Sequence, residues 1–205
     1  MPTVPATRKT RATFKTLVEA TRETVRRHGI LLPESVAETA NVSPATLYTY
    51  FGSKDALLAS AFDAALGEIG EEVARALNIE TLLEDGLEAV SRKVVRTVVK
   101  HFTRDARVVR LAIARVPDSH EVVEVYKRRS DEQLAMISRF VRLGISAGRI
   151  RPVDPLVLSR TVMVQLQGLQ NPIALQPGSG PVVEEISRML HHLLAPDPGK
   201  GANAG

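Results

Sequence analysis

The sequence predicts an all-α protein of about nine helices, with a small three-helix N-terminal domain and a larger helical domain after it. Three observations point there. Apolar residues recur at helical spacing along most of the chain, and no stretch shows the alternation of a half-buried strand. Start and stop signals cut the chain into pieces of helical length: a capping side chain followed by Pro, or an apolar turn followed by Gly. The charge is also uneven. Residues 1–54 hold eight Lys and Arg against four Glu, and the remainder holds nineteen of each sign, so the whole net charge of +4 lies in the first quarter. Such asymmetry suggests a polyanion-facing module on a neutral body.

Composition narrows the class. With 44% apolar and 24% charged residues among 205, the chain has the make-up of a folded globular protein. It has no cysteine, which excludes disulfides, Cys-ligated zinc, iron–sulfur clusters and a thiol nucleophile, and which fits a reducing compartment. The opening "MPTVPATRKTRATFK" is basic without an apolar core, unlike a secretory signal. No run of about 18 apolar residues is present to span a membrane. The expected location is the cytoplasm.

Taken in order, Phe14, Leu17, Val18 and Val25 form the stripe of a first helix that stops at Gly29. Pro33 opens a short second helix to about Ala40. Ser43 as N-cap and Pro44 at the first helical position open a third, which ends at Gly52. Ser53 caps a long fourth helix with the stripe Leu58, Phe62, Ala65, Ile69, Val73 and Ala76. "TLLE" at Thr81–Glu84 has capping-box spacing and predicts a helix to about Phe102, with a shorter one from Thr103 to before Pro117. "DSHE", Asp118–Glu121, opens a long helix that stops at Gly148. Asp154-Pro155 starts the next, which Asn171-Pro172 interrupts, and a last helix runs from Pro181 to before Pro196. The expected domains are residues 1–54, 55–195 and a disordered tail, 196–205.

Three short helices with a four-residue turn between the second and third describe a helix-turn-helix. On the third helix, Leu47 and Phe51 share a face and pack inward with Val42. Ala45, Thr46 and Thr49 point the other way, flanked by Tyr48 and Tyr50. A small, hydroxyl-edged face suits entry into a DNA major groove. Flanking Tyr hydroxyls and Lys54 have the reach and charge for phosphates. The same geometry also serves as a plain structural subdomain, with its tyrosines as partner contacts.

The segment Ser35–Phe62, "SVAETANVSPATLYTYFGSKDALLASAF", resembles the N-terminal DNA-binding domain of the TetR family of bacterial transcriptional regulators. Its T-L-Y-x-Y-F-x-[ST]-K core carries the likeness, which covers roughly residues 10–60. The resemblance implies that Pro44, Ala45 and Thr46 read bases, that Tyr48 contacts bases or backbone, and that Ser43, Thr49, Tyr50 and Lys54 contact phosphates. Two positions depart from the family pattern. Leu31-Leu32-Pro33 stands where a Thr or Ser usually caps helix 2 and touches phosphate, and Asn41 replaces the turn's usual Gly. Arg8, Lys9 and Arg11, ahead of the first helix, are either a supplementary DNA-contacting arm or a solvated leader.

Between Val153 and Leu175 only Asp154 and Arg160 are charged, and the last helix has an equally broad apolar stripe. This pair predicts a homodimer through a four-helix bundle, as the resemblance also implies; the alternative is that both helices cap the monomer core. By resemblance the body holds a small-molecule effector. The polar candidates on otherwise apolar segments are His101, Arg115, Tyr126, Gln167 and Asn171, each of which also fits a purely structural role. The expected function is a homodimeric repressor that binds a pseudo-palindromic operator and is released by an effector, without cofactor or metal. The competing reading is a helical ligand-binding or interaction protein without DNA binding. No nucleophile–base or metal constellation suggests an enzyme.

Overall fold

A computed structural model describes residues 8–197, and every regular element in that range is a helix. In order these are α1 (Arg8–His28), α2 (Pro33–Thr39), α3 (Pro44–Phe51), α4 (Lys54–Ala76), α5 (Ile79–Glu84), α6 (Gly86–Ile113), α7 (His120–Ser146), α8 (Pro155–Gly168), α9 (Pro172–Leu175) and α10 (Gly180–Leu194). No described helix is long and apolar enough to cross a membrane. The expected tail lies outside the described residues from 198 onward. Arg8, Lys9 and Arg11, expected ahead of the first helix, stand instead in the first turn of α1.

Local chemistry accounts for most boundaries. Gly29 and Gly52 follow α1 and α3 with φ of 74° and 73°, the left-handed conformation that a Cβ disfavours. Asp154 caps α8 by accepting from the N–H groups of Leu156 and Val157 at 2.8 and 3.2 Å. The predicted stripe of α4 is buried throughout, from Leu58 to Ala76.

The middle of the chain differs from the prediction. Asn78, not Thr81, starts the helix there, its carboxamide oxygen accepting from Glu80 and Thr81 N–H. That helix is only α5, because Gly86 takes φ of 83° and breaks it before α6 begins. No break occurs at Thr103. Its hydroxyl donates back to the Val99 carbonyl at 2.8 Å, a bond made within a continuing helix, and α6 runs on to Ile113. At α7 the cap is Ser119 rather than Asp118, with its Oγ accepting from Val122 N–H at 3.4 Å.

The helices form two compact units. One comprises residues up to Glu68 with Arg104–Ser130; the other comprises Ile69–Thr103 with the residues from Asp131 onward. Leu17, Val25, Val36, Leu47, Leu57 and Phe62 are the large, fully buried side chains of the first, whereas Leu82, Val90, Val94, Ile150, Leu158 and Leu169 fill the second.

The first unit also buries charge. Arg22 of α1 is 3% exposed and Asp105 of α6 is fully buried, and they meet at 2.8 Å. Arg22 grips Glu68 of α4 with both terminal nitrogens, at 2.7 and 2.9 Å. Arg26 reaches Asp105 at 3.0 Å and Arg104 reaches it at 2.8 Å; Arg104 also bonds Glu68. Arg107 donates to the carbonyls of Arg26 and Arg27, placing a cation at the negative end of α1. Burial opposes ionisation of Asp105, but hydrogen bonds from Arg22 and Arg104, and the charges of Arg22 and Arg26, outweigh it and hold the carboxyl below its ordinary range.

Removing one partner of a buried ion pair strands the other's charge, so Asp105→Ala should cost about 3–5 kcal/mol in urea unfolding. Because folding lowers the Asp105 pKa, its stabilisation is present at neutral pH and disappears as pH falls through the folded-state value. Asp105→Asn should therefore flatten the acid side of the stability–pH profile.

Candidate nucleic-acid interface

The helix-turn-helix is built by α2 and α3, with α1 packed against α2. α2 begins without a side-chain cap: Leu32 occupies the cap position and Pro33 the first helical one. The hydroxyl expected there in a TetR-like domain is thus absent in structure as in sequence. The turn requires one left-handed residue, and Asn41 supplies it at φ of 53°. Among the described residues it is the only one other than glycine with positive φ.

α3 divides into an anchored face and an open one. Leu47 is fully buried and Phe51 nearly so, and the Phe51 ring stacks on Phe14 of α1 with centroids 5.0 Å apart. Val42 is half-buried beside them. On the open face, Ser43, Pro44, Ala45, Tyr48 and Thr49 are exposed, while Thr46 and Tyr50 are half-buried. Tyr48 is 44% exposed, unusual for an aromatic side chain with no burial role.

Hydroxyl bonds order this face. Ser43 Oγ accepts from Thr46 N–H at 3.1 Å, and the two hydroxyls lie 2.9 Å apart. Thr49 donates back to the Ala45 carbonyl at 2.9 Å. Lys54 is exposed in the first turn of α4, where a cation is disfavoured by the helix dipole. Its charge adds to the hydrogen bond from Arg115 that holds the neighbouring Asp55 carboxyl below its ordinary range. The eight predicted site residues are thus exposed or half-buried, with Tyr48 and Tyr50 on opposite flanks of α3.

The N-terminal charge surplus is smaller at the surface than in the sequence. Arg22 and Arg26 are neutralised by Asp105 and Glu68, and Arg27 pairs with Glu23 at 2.6 Å. Sequence reasoning missed this network because its partners lie 46 and 83 residues away. Of the polar residues considered for an effector, three have structural partners. His101 is buried with its Nε2 3.0 Å from Glu72 Oε2, Arg115 pairs with Asp55 at 2.8 Å, and Asn171 caps α9. Tyr126 and Gln167 are half-buried.

Fold and surface together define a helix-turn-helix domain followed by a helical C-terminal body. Residues 17–61 match the family described as bacterial regulatory proteins, tetR family. It is 29% identical over 139 residues to an uncharacterised helix-turn-helix-type transcriptional regulator, YhgD, of Bacillus subtilis strain 168. That match covers 64% of this chain and 66% of the relative, just under two thirds of the relative's own length. The fold is similar to that of a TetR transcription regulator from Haloarcula marismortui, with a TM-score of 0.72 at 16% identity, covering 89% of this chain and 96% of that one. It is also similar to the TetR-family regulator PfmR of Thermus thermophilus, with a TM-score of 0.61 at 20% identity and coverage of 87% and 96%.

Losing the Ser43 cap should destabilise α3. Ser43→Ala is expected to cost about 1 kcal/mol in urea unfolding, whereas Ser43→Asp, which keeps a capping oxygen, should cost much less.

Proposed function

We propose that the chain is a homodimeric repressor that binds a pseudo-palindromic operator through α3 and is released by a small-molecule effector. The observation that carries the DNA reading is the open face of α3, small at its centre and ordered by hydroxyl bonds while its opposite face is locked by Leu47 and Phe51. In this reading Pro44, Ala45 and Thr46 meet base edges and Tyr48 meets bases or backbone. Ser43, Thr49, Tyr50 and Lys54 hold phosphates. The Ser43 hydroxyl fixes the Thr46 side chain in one orientation, so Thr46 would meet a base with little rotamer entropy left to lose.

Dimerisation is supported by apolar surface in the second unit. α8 buries Leu158, Val162 and Leu166 on one side while Leu156, Val157 and Val164 stay exposed on the other, Val164 to 68%. α10, which packs against α8, exposes Met189 and Val182. A second copy covering this surface would bring two recognition helices into one assembly, as an inverted repeat requires. An effector that favours a different spacing would lower operator affinity by its differential binding. Repression rather than activation follows the prevailing habit of the family.

Selection from random DNA is expected to enrich an inverted repeat; failure to enrich any would favour the helical binding protein without DNA recognition. Lys54→Ala should weaken binding to all duplexes and lower the salt slope by about one, whereas Thr46→Ala should change the preferred sequence. Val164→Glu should turn a sedimenting dimer into a monomer while leaving the circular dichroism helical.

A further inference from the structure

A groove of about 440 Å³ lies in the second unit, which holds no part of the helix-turn-helix. Its walls include Glu72 of α4 and Arg92, Lys93, Arg96, Thr97 and Lys100 of α6. Arg92, Arg96 and Lys100 recur every four residues and so stack on one face of α6. Like charges at that spacing destabilise a helix, which makes this row a poor choice for α6 alone.

Acidic side chains already compensate part of it. Glu184 of α10 accepts from Arg92 Nε at 2.8 Å and from Arg96 Nη2 at 3.2 Å. Glu88 takes the other side of Arg92 at 2.6 Å. Glu72 lies 3.0 Å from His101 and 3.7 Å from Lys100. Lys93 is exposed and makes no ion pair among the described residues. Four cations thus face three carboxylates, and the surplus of one becomes two whenever Glu184 leaves. Two guanidinium groups already converge on one oxyanion, the arrangement that suits phosphate as well as carboxylate.

We propose that this groove binds a small phosphorylated anion, held by Arg92 and Arg96 in the place of Glu184, with Lys93 and Lys100 completing the charge. Glu184 is then an internal competitor, and the ligand's arrival frees α10 from its ion pairs to α6. α10 also carries Val182 and Met189 of the proposed dimer surface, so displacement acts on the helix through which two copies would meet. The binding itself does not depend on DNA recognition; only its regulatory use rests on that reading.

The experiment is a calorimetric titration of the full-length protein with inorganic pyrophosphate at low ionic strength, without DNA. Saturable binding is expected, weakened at least about tenfold in Arg92→Gln/Arg96→Gln, since losing two charge-assisted contacts removes more than the energy of one decade in affinity. Glu184→Gln should tighten binding about threefold by removing the competitor's charge, a gain that a misfolded variant does not produce. Lys127→Ala, on α7 and outside both the groove and the helix-turn-helix, should bind as the parent does. No saturable binding, or a Glu184→Gln variant that binds no more tightly, overturns the proposal. So does a requirement for Arg92 and Arg96 in the binding of random-sequence duplex but not of pyrophosphate.

Discussion

The first unit hangs on one carboxylate. Asp105 is fully buried and receives Arg22, Arg26 and Arg104, and an ion in that position is tolerated only while every partner is in place. Two of those partners belong to α1, so the network fixes the C-terminal half of that helix against α6, and Glu68 fixes it against α4. Arg107 holds the last carbonyls of the same helix. With one end of α1 set, Phe14 near the other end is set as well. Phe14 stacks on Phe51, and Phe51 with Leu47 determines which way α3 faces. The orientation of the candidate recognition surface is thus a consequence of electrostatics well removed from it.

The same network alters the meaning of the charge distribution. A count along the sequence assigns eight cations to the expected DNA-facing end, yet Arg22, Arg26 and Arg27 are in ion pairs. Lys15 and Lys54 are both exposed, Lys54 beside Asp55. In the second unit, nominally neutral by count, α6 gathers Arg92, Lys93, Arg96 and Lys100 along one groove. Net charge by segment therefore predicted a polyanion-facing end without revealing which cations are free to act there.

What the sequence made legible was local. Ser43-Pro44, Asn41, Gly52 and Asp154-Pro155 are start, turn and stop signals whose chemistry needs only neighbours within four residues, and each does what its type dictates. The stripe of α4 was legible for the same reason. The helix near Thr81 was misplaced because Asn78 offers a competing cap three residues earlier, and Thr103 was read as a start although its hydroxyl is satisfied inside the helix. Long-range pairing was not legible: nothing near Asp105 in sequence announces Arg22. The faces of α3 were readable because helical phase alone assigns them, whereas the partners of His101 and Arg115 depend on tertiary packing.

The reach of Asp105 and Glu68 into α1 bears on how far this head is portable. A helix-turn-helix excised after residue 54 and spliced onto another helical body would carry Arg22 away from Asp105 and Glu68 and Arg26 away from Asp105, leaving them only Glu19 and Glu23 of their own helix. The host would have to offer acids at equivalent places or receive two arginines with part of their pairing lost. Transplanting the recognition proposed for α3 therefore means moving its open face alone, by substitution within a compatible scaffold, because the smallest exchangeable unit is discontinuous and includes the start of the Arg104–Ser130 segment.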